Sequence, residues 1–257
     1  MKEDTVEYAA DPFVKEVGGK LYVFYEELNF WNGKGELKVL ENFDFQTKRT
    51  ITGLEHQNVH ASYPYVFKEK NVFYCIPETS ASLEVELYQL DPLNIREFKK
   101  VRTLLRGEQF VDTSMIFYKE RYWLFTSISQ RSKELYIYHA ESLESEFTPH
   151  VLNPIAVDDN ASRNAGELFV VNDQLYRPSQ NPSNRYGGSI VISKVEAISE
   201  SEYKQEFEFE IFPELPYDRG LHNISFTGDM IVFDGKRRLS SPIMPIKKLV
   251  KKLRSRR

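Results

Sequence analysis

The chain has 257 residues, 41% of them hydrophobic and 28% charged, with a net charge of −4. No apolar run approaches the roughly 20 residues of a membrane span, and an acidic balance argues against a nucleic-acid-binding body, which needs a basic footprint on the fold itself. The 18 Phe and 15 Tyr side chains favour pleated, half-buried strands over helices.

The N-terminus, Met1-Lys2-Glu3-Asp4, leads into no apolar signal region, and the lone Cys75 has no partner for an internal disulfide. Both features predict a cytoplasmic protein, with Cys75 a small buried hydrophobe. From there the chain repeats itself. Asp11-Pro12-Phe13-Val14 leads into an aromatic-rich run at 19–25, and Tyr63-Pro64-Tyr65-Val66-Phe67 into 71–76. Asp112-Thr113-Ser114-Met115-Ile116-Phe117 leads into 121–125, and Glu167-Leu168-Phe169-Val170-Val171 into 174–176. His222-Asn223-Ile224-Ser225-Phe226 leads into 230–233 and a predicted turn at Asp234-Gly235. Each unit reads as a hairpin, a short apolar strand followed by a polar turn and a second strand.

The hairpins recur about every 50 residues, a period that belongs to propeller blades. Runs at 85–90, 135–139, 189–192 and 207–212 supply outer strands. The expected fold is an all-β, five-bladed β-propeller over residues 1–243, closed by pairing of the residues before Asp11 into the last blade. A β-sandwich is the alternative. Residues 244–257 read differently. Pro245 precedes Ile246, Leu249, Val250 and Leu253, a helical apolar stripe, and 247–257 hold seven basic side chains and no acid. Subtracting those seven from −4 leaves −11 for the rest of the chain. This tail is expected to be a basic amphipathic helix suited to an anionic membrane surface, or else a solubilising tail.

In a propeller the first strands surround a channel, so Asp11, Tyr63, Asp112, Glu167 and His222 are expected at its mouth. Three converging carboxylates can divide the work of glycosyl chemistry among acid, base and orienting group. Arg163, Arg177 and Arg185 are candidates to clamp a phosphate or carboxylate. His60 and His222 would contact hydroxyls or a phosphate; Gln180, Asn181 and Asn223 would bond sugar hydroxyls; Tyr63, Tyr186 and Trp31 offer stacking faces. There is no glycine-rich nucleotide loop, and the five His and one Cys lack zinc spacing, so neither cofactor nor metal is expected. Asp158-Asp159 reads as a solvated turn.

Asp11-Pro12, Asp112 and Glu167 resemble the Asp/Asp/Glu set of the five-bladed superfamily that includes glycoside hydrolase family 43. The resemblance implies Asp11 as general base, Glu167 as general acid and Asp112 as the residue orienting the acid. It also implies inversion, with base and acid about 6.5–9.5 Å apart. A closer resemblance covers most of the chain. Ser62-Tyr63-Pro64-Tyr65-Val66-Phe67, Pro77-Glu78-Thr79-Ser80, Glu86-Leu87-Tyr88, Arg177-Pro178-Ser179-Gln180, Arg185-Tyr186-Gly187-Gly188 and His222-Asn223-Ile224-Ser225 are similar to the propeller domain of glucosamine inositolphosphorylceramide transferases. The glycosyltransferase domain that follows this propeller in the plant proteins is not in the sequence. The expected function is glycosyl transfer from a saccharide or activated sugar in cell-surface polysaccharide or glycolipid synthesis, at the cytoplasmic face of a membrane. A cytoplasmic inverting glycoside hydrolase and a non-catalytic sugar-binding propeller are the alternatives.

Overall fold

The structure, a computed structural model, describes residues 8–29, 33–56 and 58–237. The expected tail and Trp31 lie outside the described residues. Blade 1 is a meander of β1 (Tyr8–Val17), β2 (Lys20–Asn29), β3 (Lys34–Glu41) and β4 (Asp44–Thr50). Blade 2 holds β5 (Ser62–Glu69), β6 (Val72–Glu78), β7 (Glu84–Asp91) and β8 (Asn94–Arg106). Blade 3 holds β9 (Phe110–Tyr118), β10 (Arg121–Ile128), β11 (Arg131–Ala140) and the two-residue β12 (Thr148–Pro149). Blade 4 holds β13 (Phe169–Val171), β14 (Gln174–Asn181), β15 (Ser189–Ile198) and β16 (Tyr203–Ile211). A two-stranded unit, β17 (Leu221–Thr227) and β18 (Met230–Gly235), follows.

The fold is therefore all-β and propeller-like, and the one helical element among the described residues is a 3₁₀ turn at Ser80–Ser82. One expectation changes. Among the described residues there are four four-stranded blades and a hairpin rather than five full blades. Tyr8, Ala9 and Ala10 pair with Leu28, Glu27 and Glu26 of β2 in the first blade, and the rest of the segment expected to close the ring, residues 1–7, lies outside the described residues.

Apolar layers between blades hold the ring together. Trp123, Ile137, Leu175 and Val195 pack blade 3 on blade 4, and Ile190, Ile192, Leu221 and Ile224 pack blade 4 on the hairpin. Val14, Val23 and Leu40 meet Met230 and Val232, which brings the hairpin against blade 1. Two hydrogen bonds reinforce that junction: the Val14 N–H to Ser225 Oγ at 2.8 Å and Asn223 Nδ2 to the Pro12 carbonyl at 2.8 Å. Cys75 is buried, as its apolar run implied. Asp234-Gly235, read as a turn, instead closes β18, because Gly235 pairs with Leu221 across the hairpin.

Candidate functional site

The inner strands of blades 1, 2 and 3 break register at the same place. The ladder slips between Ala10 and Phe13, between Ser62 and Tyr65, and between Val111 and Ser114. Asp11, Tyr63 and Asp112 sit in these bulges with φ of 52°, 43° and 48°, left-handed conformations that cost each L-residue about 1–2 kcal/mol. A bulge re-aims the side chain it carries. The β17–β18 hairpin slips likewise between Leu221 and Ile224, placing His222 beside the others.

Two connected clusters result. In the first, Asp112 accepts hydrogen bonds at Oδ2 from Arg163 Nε and from Gln180 Nε2, the latter at 2.9 Å. The Asp112 N–H donates to Glu78 Oε2 at 2.9 Å. In the second, Asp11 Oδ2 accepts the Tyr63 N–H at 3.3 Å, and Asp11 Oδ1 stands 3.4 Å from His222 Nε2. The other ring nitrogen of His222 faces Asp234 Oδ2, while Asp234 Oδ1 takes the N–H groups of His222 and Asn223 at 2.8 Å each. Asp11, His222 and Asp234 bring ligand atoms within 4.8 Å of one another, close enough for one cation, a grouping the sequence reading did not foresee. Tyr186, half exposed on the 182–188 loop, covers both clusters. Its ring meets His222 edge-on at 5.6 Å, with Arg163 at 5.4 Å and Lys236 at 4.8 Å from its centroid.

Crowding these charges separates the titrations. Burial raises the Glu78 pKa, the neighbouring Asp112 adds to the rise, Arg163 opposes it, and the result is about 7. Asp11 is pushed well above the usual carboxylate range by burial, against the pull of His222, with Asp234, Glu26 and Asp112 adding to the rise. For His222 burial works against the charge, but Asp234 and then Asp11 outweigh it and lift the pKa to about 9. Glu78 and His222 thus hold protons more tightly folded than unfolded, so stability falls as pH rises through each window, about 4.5 to 7 for Glu78 and 6.5 to 9 for His222. The thermal midpoint should decline from pH 5 to pH 9, and Asp234→Asn should flatten the decline above pH 6.5. A midpoint that rises over that range contradicts this charge arrangement.

The structure brings Asp11, Asp112, Arg163, Gln180, Tyr186 and His222 together, and it directs other expected residues elsewhere. Glu167 ion-pairs with Lys15 at 2.6 Å and accepts from Ser225 Oγ. Lys15 lies four residues beyond Asp11 on β1, on the order of 13 Å of strand. The reason is local: Gly166, with φ of 103°, takes up the backbone twist in blade 4 and bridges Ile224, so Glu167 is carried past the mouth. Tyr63 is buried rather than a stacking face. Its hydroxyl crosses the channel to Ser114 Oγ and the Gly166 carbonyl, and accepts the Gly166 N–H at 2.7 Å. Arg177 is fully buried and bonded to Gln205 Oε1, Asn164 Oδ1 and the carbonyls of Ala161 and Ser162, so it clamps the chain and no ligand.

Three expected residues stand at the edge. His60 accepts the Gly35 N–H and faces Glu26 at 3.2 Å, whose hydrogen bond raises its pKa. Arg185 is exposed beside Tyr186. Asn223 holds the bulge rather than presenting its amide N–H outward, since Nδ2 is spent on Pro12. Sequence reasoning missed Glu26, Glu78, Asp234 and Lys236. Two of them share one place in the fold: Glu26 pairs with Ala10 and Glu78 with Ser62, each opposite the residue before a bulge.

Residues 2–217 match the family described as glucosamine inositolphosphorylceramide transferase 1, N-terminal. The chain belongs to this family. It is 31% identical over 206 residues to the glucosamine inositolphosphorylceramide transferase 1 of Oryza sativa subsp. japonica, an overlap of 77% of this chain and 27% of that protein. The protein of the same name from Arabidopsis thaliana is 27% identical over 206 residues. The chain thus spans about a quarter of the length of these transferase relatives. Among solved structures, the α-L-arabinofuranosidase of Podospora anserina in complex with cellotriose superposes with a TM-score of 0.66 at 11% identity, covering 93% of this chain and 87% of that one. The family 62 catalytic domain from Coprinopsis cinerea gives 0.65 at 14% identity, covering 94% and 89%. At such identities the likeness speaks for the fold of this transferase-family domain alone.

Proposed function

We propose that the mouth of the propeller binds a saccharide and takes part in glycosyl transfer during assembly of a glycolipid or cell-surface polysaccharide. The observation that carries this reading is the pair of adjoining clusters, Glu78 with Asp112–Arg163 and Asp11 with His222–Asp234, under the half-exposed ring of Tyr186. Transfer needs a proton moved at a sugar oxygen, and Glu78, with a pKa of about 7, is the group suited to moving one at neutral pH. Asp112, fixed by Arg163 and Gln180, supplies an oriented acceptor for substrate hydroxyls beside it. The Asp11–His222–Asp234 row holds a second proton within reach. Tyr186 provides the apolar wall on which a sugar ring packs.

The test is incubation with nucleotide sugars and simple glycosides, with transfer products read by mass spectrometry and the ligand located by crystal soaking. Sugar in the mouth together with transfer supports the reading, and ligands that bind without turnover in any combination overturn the catalytic part. A saccharide-binding module is the second reading, favoured by one fact: about three quarters of each transferase relative lies outside the matched segment.

The expected cytoplasmic location and the basic tail fit the same proposal, with the seven basic residues of 247–257 at an anionic membrane surface. Deleting residues 246–257 should reduce co-sedimentation with phosphatidylserine vesicles in a salt-sensitive way while leaving the thermal midpoint within about 2 °C. Unchanged co-sedimentation would remove the membrane role.

A further inference from the structure

The outer edges of blades 3 and 4 do not match. Blade 3 ends in β12, only two residues long, whereas β16 of blade 4 runs for nine. The face of β15 and β16 turned toward blade 3 therefore has no full strand against it, and the loop at 156–161 forms the facing wall. Between them lies a cavity of about 610 Å³, within the roughly 300–1,000 Å³ typical of small-molecule sites. Its lining includes none of the carboxylates of the mouth clusters, Asp11, Glu78, Asp112 and Asp234.

The lining has a distinct chemistry. Phe207, in a strand of alternating Phe and Glu, leaves 66% of its surface uncovered, and Val157 and Tyr203 extend the apolar surface around it. Polar groups are fixed beside these rings. Glu210 is held by Asn181 Nδ2 at 2.8 Å and by Ser189 Oγ, and Gln205 by Arg177, Tyr203 and Ser193. Among the described residues the only cation in the lining, Lys204, is paired with Glu206 at 2.7 Å. With Asp158 and Glu210 also present, the cavity is acidic and unsuited to phosphate, sulfate or a nucleotide. An uncovered flat ring flanked by pre-set carboxylate and amide groups matches a neutral ligand with one apolar face and a rim of hydroxyls.

We infer that this flank cavity is a second saccharide-binding site, with Phe207 as the stacking platform and Glu210 and Asn181 as hydroxyl partners. It gives the domain a hold on a glycan besides the mouth. It does not depend on the mouth being catalytic.

Crystals soaked in cellotriose, xylotriose, α-1,5-arabinotriose and chitotriose provide the direct test, with calorimetric titration of the same four trisaccharides. At least one should show density against Phe207. Phe207→Ala should weaken binding of that trisaccharide about tenfold, the loss of one aromatic contact. Phe207→Tyr, which keeps the ring, should bind like the parent and shows that loss in the alanine variant is not misfolding. Density in the mouth alone, no binding by any of the four, or an alanine variant that binds as tightly as the parent would each overturn the flank site. Sugar at Phe207 with an empty mouth would instead count against the proposed function and leave this inference standing.

Discussion

Glu78→Gln should lower glycosyl transfer by about 10²-fold or more while leaving saccharide affinity within a few-fold. Glutamine keeps an oxygen where Glu78 Oε2 accepts the Asp112 N–H, so the first cluster retains its shape. What disappears is the group that exchanges a proton near pH 7. The pH–rate profile should therefore lose its ionisation in that region, a change that lost packing would not produce. Glu78→Asp, which keeps the acid but shortens its reach, should recover part of the rate. Full turnover in Glu78→Gln, or an unshifted profile, would remove Glu78 from the chemistry.

Gly166→Ala should cost about 3–5 kcal/mol, a large share of the roughly 5–15 kcal/mol that holds a domain folded. A Cβ at Gly166 would lie 2.0 Å from the Ile224 carbonyl oxygen and 2.7 Å from its nitrogen. Those two atoms bond the Glu167 N–H and the Ala165 carbonyl, each at 3.0 Å, and join blade 4 to the hairpin. The backbone cannot yield without breaking both. Gly107 is the control, with a similar φ of 101° and nothing within 4 Å of its would-be Cβ. Gly107→Ala should cost only about 1–2 kcal/mol of conformational strain. Urea unfolding of both variants separates clash from strain, and equal costs would show that the close approach to Ile224 is unimportant.

The inner hairpins were legible because each couples a strand-forming aromatic run to a turn, and the runs at 85–90, 135–139 and 189–192 fall within outer strands of blades, while 207–212 overruns the end of β16 by one residue. Asp11 and Asp112 could be placed at the mouth because the repeat put them at equivalent steps. Glu26 and Glu78 were harder to see, since their positions depend on a cross-strand register that the bulges shift by one residue. Glu167 misled for the opposite reason. It stands near the right step in sequence, but the glycine before it occupies the kink that an aspartate fills in blades 1 and 3. Arg177 reads in the sequence as a clamp for a bound anion; the acceptors that bury it come from 161–164 and Gln205, which only the folded chain assembles.

The hydroxyl of Tyr63, reaching from blade 2 to Gly166 at the start of blade 4, limits how any substrate can travel. With Phe13 against its ring and Tyr65 bonded across to Met115, the axis is filled beneath the mouth. Among the described residues these side chains close the passage at this level. A polymer cannot be threaded through it, and whatever enters must back out by the same opening, so a long glycan can present only its terminus or a short branch. On the proposed function, each transfer at the mouth would then end with the glycan end withdrawn by the way it came.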